Sequence, residues 1–347
     1  MSPLIIALFI SALGLGTTVT FASSHWLLAW MGLEMNTMAI LPLMSARHHP
    51  RAVEACTKYF LTQSAAAATL LFAGTTNAWL TGQWDIQVQM HPVSATLIIL
   101  AIALKLGLAP LHTWLPEVLQ GLDLITGLIM STWQKLAPLA LLIQSPLHDH
   151  PLLMALGLAS TLVGGWGGLN QTQLRKVLAY SSIAHLGWML LVSQFAPQLT
   201  VLALFLYVFM TTALFTTLNL SYATNLNSLS SSSTQTPALT ALAPLVLLSL
   251  GGLPPLSGFL PKWMILAELT KQDLGLMATL AALSALLSLY FYLRLCYAMT
   301  LTISPNTLSS TTLWRFVSPR FSVPLAAAAC FSIMSLPLGP TLYSLVV

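Results

Sequence analysis

The chain has 347 residues, of which 6% are charged and 56% hydrophobic, and its mean hydropathy is +0.83. Soluble domains carry roughly a quarter of their residues as Asp, Glu, Lys or Arg, so this composition excludes one. The formal net charge of +4 comes from cations placed singly or in pairs at helix ends; with no basic stripe, nucleic acid is excluded as a partner.

Only helices or closed barrels satisfy every backbone group in lipid. The apolar runs here are about 20 residues long and do not alternate, which selects an all-α polytopic membrane protein. In chain order the predicted helices cover 3–22, 25–45, 54–81 and 93–110, then a short amphipathic piece at 112–120, then 123–144, 151–169, 174–194 and 198–222. The ninth comes in two halves, 238–252 and 258–270, and 275–302 and 323–346 complete about eleven. The first run lacks a basic leader and a cleavage site, so insertion without a removable address is expected. Asn225 to Thr236 reads as a flexible polar connector.

Loop charge sets orientation. Arg47, Arg51, Lys58, Arg175, Lys176, Arg315 and Arg320 fall on the N-terminal side. The opposite side has Asp85 and Asp149, with Lys271 balanced by Asp273. This bias places the N-terminus in the cytoplasm or mitochondrial matrix and the C-terminus outside.

The fourth helix breaks at Ala109-Pro110 and the ninth at Pro254-Pro255, each preceded by Gly and Leu. Proline removes a donor and clashes one turn back, which frees carbonyls that only protein or internal water can satisfy in lipid. The break falls in the fourth helix of each five, and an odd repeat length inverts the second copy. This is the logic of ion-coupled transporters. The expected organisation is a first repeat at 1–145, an inverted repeat at 150–303, and a linker with a C-terminal helix at 304–347. Two unrelated proline kinks are the plainer alternative.

Few charges are left inside the hydrocarbon: Glu34, Lys105, Lys135, Lys262, Glu268 and Arg294. One charge at the bilayer centre costs roughly 2.5–3.5 kcal/mol, so such residues face the bundle interior and mark ion or proton paths. Lysine suits proton transfer because burial disfavours its charged form and a nearby carboxylate favours it. The alternative is a structural ion pair, such as Glu34 with Lys105, or a snorkelling lysine; Glu268 and Arg294, nearer helix ends, fit that better. His112 and His185 are candidate relays near neutral pH, or else satisfied polar residues between helices. His48-His49 and His148-x-His150 lack further ligands, and Cys56, Cys296 and Cys330 are far apart, so no metal site is expected. Gly164-Gly165-Trp166-Gly167-Gly168 reads as close helix packing, not a phosphate loop.

The stretch Leu104-Lys105-Leu106-Gly107-Leu108-Ala109-Pro110-Leu111-His112-Thr113-Trp114-Leu115-Pro116-Glu117 resembles the signature of the antiporter-like subunits of respiratory complex I. Leu178 to Gly187 and Gly252-Leu253-Pro254-Pro255-Leu256-Ser257-Gly258-Phe259 resemble the second-half signatures of that family. Length, a short N-terminus and Glu34-Met35-Asn36-Thr37 are similar to the animal, mitochondrially encoded member that lacks three leading helices of its bacterial counterpart.

The resemblance implies a proton-translocating subunit in the mitochondrial inner membrane. Its first half-channel would be Glu34, Lys105 and Lys135; Lys262 would end the second, with His112 and His185 along the axis between them. No cofactor is expected on this chain, since NADH, FMN, iron–sulfur clusters and ubiquinone would belong to other subunits. Implied partners are the other membrane-arm subunits, neighbouring antiporter-like chains among them, and lipids such as cardiolipin. The seventh helix has no acid matching Glu34, which leaves the control of Lys262 open. The rival readings are a free-standing cation/proton antiporter and a structural spacer with no proton path of its own.

Overall fold

The computed structural model describes residues 2–46, 48–147, 150–232, 237–301 and 322–346. Arg47, His148, Asp149, Arg315 and Arg320, and most of the expected linker, lie outside the described residues. The helices, in chain order, are α1 Pro3–Ala22, α2 Trp26–Met44, α3 Pro50–Thr81, α4 Pro92–Leu106, α5 Trp114–Gly121, α6 Leu124–Gln144, α7 Pro151–Gly168 and α8 Leu174–Ser193. They continue as α9 Pro197–Leu220, α10 Leu226–Ser231, α11 Pro237–Gly251, α12 Phe259–Lys271, α13 Gly275–Leu301, α14 Ser322–Met334 and α15 Gly339–Val346. Among the described residues the protein is all-α, with two isolated backbone bridges, His25 to Asp85 and Gln173 to Asn225.

Six helices (α1, α3, α4, α7, α9 and α11) begin on a proline. A first-turn N–H has no intrahelical acceptor, so proline loses nothing there and its fixed φ starts the helix. This moves the third helix from the expected residue 54 back to Pro50, where His49 Nδ1 accepts from the Arg51 N–H at 3.2 Å. His25 and His91 cap α2 and α4 in the same way.

Three other expectations need correction. The fourth helix ends at Leu106 and not at 110, because Gly107 turns left-handed at φ 76°. The connector after α9 is partly ordered: α10 forms there, with the Asn225 N–H donating to Ser228 Oγ at 3.0 Å. The last helix is not continuous. It bends by 69° around Leu336–Leu338, where Pro337 interrupts it.

Among the described residues five helices, α1, α2, α7, α9 and α13, are long and apolar enough to cross a membrane, and the bent C-terminal pair makes a sixth. At about 1.5 Å per residue, the 32 residues of α3 make a helix longer than the roughly 30 Å of a hydrocarbon core.

The chain divides into two compact units, Met1–Gly157 and Leu158–Val347. In the first, α2 packs on α1 and α3, α3 holds α4 and α5, and α6 closes against α1, α2 and α4. In the second, α9 lies against α8, α11, α12, α14 and α15, and α13 packs on α11 and α12. The glycines of α7 act as contact points: a Cβ on Gly164 would stand 2.6 Å from the Ala184 backbone nitrogen, and one on Gly165 would stand 2.9 Å from Leu287.

Overpacking at such a contact costs roughly 1–3 kcal/mol. Gly164→Ala should therefore lower the amount of assembled protein on native gels. Gly14→Ala, whose Cβ meets nothing within 4 Å, should leave it unchanged.

Candidate functional site

The site is built where helices stop inside the bundle. In the first unit α4 ends with Gly107, whose N–H reaches Ala103 O at 2.9 Å while that of Leu108 reaches the same carbonyl at 3.0 Å. In the second unit α11 ends with Gly252 at φ 78°, and the Gly252 and Leu253 N–H groups reach Leu248 O at 3.1 and 3.3 Å. Each turn continues through a cis proline bond, Ala109-Pro110 or Pro254-Pro255. Each half-helix then resumes after seven residues, at Trp114 and at Phe259.

The two segments run in step, Gly-Leu-x-Pro-Leu-x-x-aromatic-Leu-Pro, and then differ in sign: Glu117 stands in the first where Lys262 stands in the second. Likewise Lys105, two residues before the first break, has Leu250 as its counterpart before the second.

Side-chain donors reach carbonyls at both breaks, Leu104 O among them although it also accepts from the Gly107 N–H at 3.2 Å. Trp114 Nε1 donates to Leu104 O at 3.1 Å, and the Trp114 ring packs on Tyr59 at 5.7 Å between centroids. Lys262, buried in α12, donates from Nζ to Gly251 O at 2.7 Å. Among the described residues Lys262 makes no ion pair.

Lys105 lies at the end of α4, and its Nζ is 3.7 Å from Glu34 Oε1. The lysine side chain is 2% exposed and the glutamate side chain 20%. Thr37, one turn along α2, donates to Glu34 Oε2 at 3.2 Å. Oε1 and Lys105 Nζ have no hydrogen-bond partner in the described structure. At this separation two unit charges attract by roughly 4 kcal/mol at an effective dielectric of 20. Two separate charges in lipid cost roughly 5–7 kcal/mol on the insertion scale. The ionised pair is therefore stabilised without being locked.

Lys105 also borders an internal cavity of about 20 Å³ that is lined by Lys135 as well, together with Asn36, Gln63, Gln134 and Tyr59. One water needs roughly 10–15 Å³ measured in this way, so the space admits a water molecule. The structure thus brings Glu34, Lys105 and Lys135 into one arrangement. His112 lies in the break after α4, half-buried, with the Pro110 backbone as a partner. His185 is half-buried against the Tyr207 ring, 5.4 Å away. Neither histidine lines the cavity. Arg294 Nη1 meets Asn170 Oδ1 at 3.5 Å, and Glu268 lies 3.4 Å from Lys271, as structural roles near helix ends require.

Asn36, Gln63, Gln134 and Trp114 escaped the sequence reading as site residues. Gln63 carried a usable signal, an uncharged polar side chain beside the alanines of α3; Asn36 lies inside the Glu34-to-Thr37 motif.

Residues 23–288 match the family described as NADH:quinone oxidoreductase/Mrp antiporter, transmembrane. Residues 289–343 match the NADH dehydrogenase subunit 2 C-terminus. Curated relatives called NADH-ubiquinone oxidoreductase chain 2 are 66% identical over 345 residues in Tetraodon nigroviridis and 64% over 346 in Salmo salar, covering 99% of both chains in each comparison. The chain belongs to the NADH-ubiquinone oxidoreductase chain 2 family. Among solved structures, a chain of respiratory complex I from Thermus thermophilus, determined with bound aureothin, is 28% identical with a TM-score of 0.86. That match covers 97% of this chain and 79% of the other. A chain of the Mrp complex from Dietzia sp. is 17% identical, with a TM-score of 0.86 over 97% of this chain and 76% of that one, and so shares the fold.

An alanine at a left-handed position is strained, and a Cβ on Gly252 would stand 2.9 Å from Lys262 Cδ and 3.1 Å from its Nζ. Gly252→Ala should displace Lys262 from the Gly251 carbonyl, visible as a lengthened Nζ–O distance in a cryo-EM map of the assembled variant.

Proposed function

We propose that this chain is a core membrane-arm subunit of respiratory complex I, the H⁺-translocating NADH:ubiquinone reductase, and carries protons across the mitochondrial inner membrane without redox chemistry of its own. Identity of 66% to a named chain 2 supports the assignment to that complex. We count eleven crossings by joining α4 with α5, α11 with α12 and α14 with α15, arranged as two inverted five-helix repeats and a final helix. The in-step sequences and equal lengths of the two breaks support the repeat. The N-terminus lies in the matrix and the C-terminus in the intermembrane space. Neighbouring antiporter-like chains and lipids such as cardiolipin surround it.

The observation that carries the reading is Lys105, within 3.7 Å of Glu34 and bordering the cavity it shares with Lys135. Electron transfer from NADH to ubiquinone, on other subunits, reaches this chain as an electrostatic or conformational change near Glu34. Such a change alters which protonation state Lys105 prefers. The proton passes to Lys135 and onward to Lys262, with His112 and His185 as relays. Each outward proton costs roughly 2.3 kcal/mol per 100 mV, so the drive comes from outside the chain.

The test is Lys105→Met in the assembled complex, reconstituted into proteoliposomes. The proton-to-electron ratio should fall, with Glu34→Gln lowering the coupled rate less severely. An unchanged ratio in Lys105→Met overturns the assignment. A spacer would pump normally once assembled, and a free-standing antiporter would stay active when purified away from large partners.

A further inference from the structure

Resting on that reading, we propose that Asn36 and Gln63 form a single-water site linking Lys105 to Lys135, and that Gly16 on α1 is a positioning residue that keeps Asn36 in it. Asn36 is 1% exposed and Gln63 4%. Asn36 Oδ1 and Nδ2, Gln63 Nε2 and Lys105 Nζ all lack a hydrogen-bond partner in the described structure, and all three side chains line the same cavity of about 20 Å³. Each buried polar group left unpaired costs roughly 1–3 kcal/mol, so four on one small cavity call for a shared partner. Apolar cavities stay dry; a polar one with two to four partners holds water. The volume limits that water to about one molecule, not a chain.

The donors and acceptors also fix how that water is held. The water oxygen accepts two hydrogens, one from Lys105 and one from either of the two carboxamide NH₂ groups, which share the second place. Asn36 Oδ1 takes one water hydrogen, and the other is free for an amine lone pair. Carboxamides do not titrate, so they orient the water without retaining the proton. In the step itself, protonated Lys105 gives an N–H proton to the water oxygen as a proton of that water passes to the neutral Lys135 amine. Lys105 is left neutral, Lys135 cationic and the water unchanged.

α1 contributes no ionisable group to this, only space. A Cβ on Gly16 would fall on Asn36 Oδ1 and would stand 2.9 Å from the Gly32 carbonyl, so the α1–α2 crossing fixes where the Asn36 carboxamide lies. Gln134 Nε2 donates to Asn36 O at 3.2 Å, which ties α6 to α2 in the register beside Lys135. The plainer role for buried amides is to glue helices together, and that role would show in assembly.

The experiment compares Asn36→Leu, Asn36→Ser, Gln63→Met and Gly16→Ala with Lys105→Met, each in the whole assembled complex in proteoliposomes. Asn36→Leu and Gln63→Met should slow proton translocation by about tenfold or more, as expected when a transfer path is misplaced by about an ångström. Asn36→Ser, which keeps a polar group and room for water, should restore most of it, and Gly16→Ala should behave as Asn36→Leu does. Asn36→Leu and Gln63→Met complexes that pump at the unmutated rate while Lys105→Met does not would overturn this inference alone. Normal pumping by Lys105→Met would overturn the reading beneath it. Should a variant fail to assemble, a map of the unmutated complex decides. Water density about 2.7–3.2 Å from both Lys105 Nζ and the Asn36 carboxamide supports the site, and its absence in a map showing other internal waters refutes it.

Discussion

In hydrocarbon, a backbone carbonyl without a donor has no water to turn to, and this fixes where a membrane helix can break. At each of the two breaks here a side chain donates to a carbonyl at the helix end. The Trp114 indole reaches back to Leu104 O, and the Lys262 amine reaches Gly251 O. Glycine at φ 76° and 78° turns the chain without strain, and proline prevents the helix from running on. Lys262 is consequently next to polar backbone, and Lys105 stands in the last turn of α4. Their positions follow from the helix ends, and the chemistry follows from their positions.

The first unit differs from a structural ion pair in one respect. Elsewhere an ion pair closes to direct contact: Lys58 lies 2.8 Å from both Glu54 and Glu117, where the side chains are exposed. Glu34 and Lys105 are held 3.7 Å apart, with Thr37 taking the other carboxylate oxygen. The attraction offsets much of the cost of burying the two charges, and the amine also borders space open to a second polar group. Stability alone would favour closing that gap.

Much of this was legible in the sequence because lipid makes charge expensive. Six ionisable residues in apolar runs narrowed the search at once, and Glu34, Lys105 and Lys135 do come together. Both proline breaks were also visible, since there proline follows a Gly-Leu pair, whereas Pro42, Pro138 and Pro244 stay inside continuous helices. The exact end of α4 depended on glycine adopting the left-handed region, which apolar periodicity does not report. The bend at Pro337 was missed because the flanking residues are as apolar as any continuous span. Uncharged amides were harder still. Asn36 and Gln63 cost little enough in a helix to pass as interhelical contacts, and only the cavity between α2, α3, α4 and α6 distinguishes them.

The bond from Lys262 to the Gly251 carbonyl has a chemical property worth following. An ammonium carries three N–H bonds, and the amine left after deprotonation still carries two. Either form can thus donate to the same oxygen, so the severed end of α11 stays capped through every change of charge at this nitrogen. Charge and backbone integrity are uncoupled at that point: either form of the side chain leaves the scaffold around it in place.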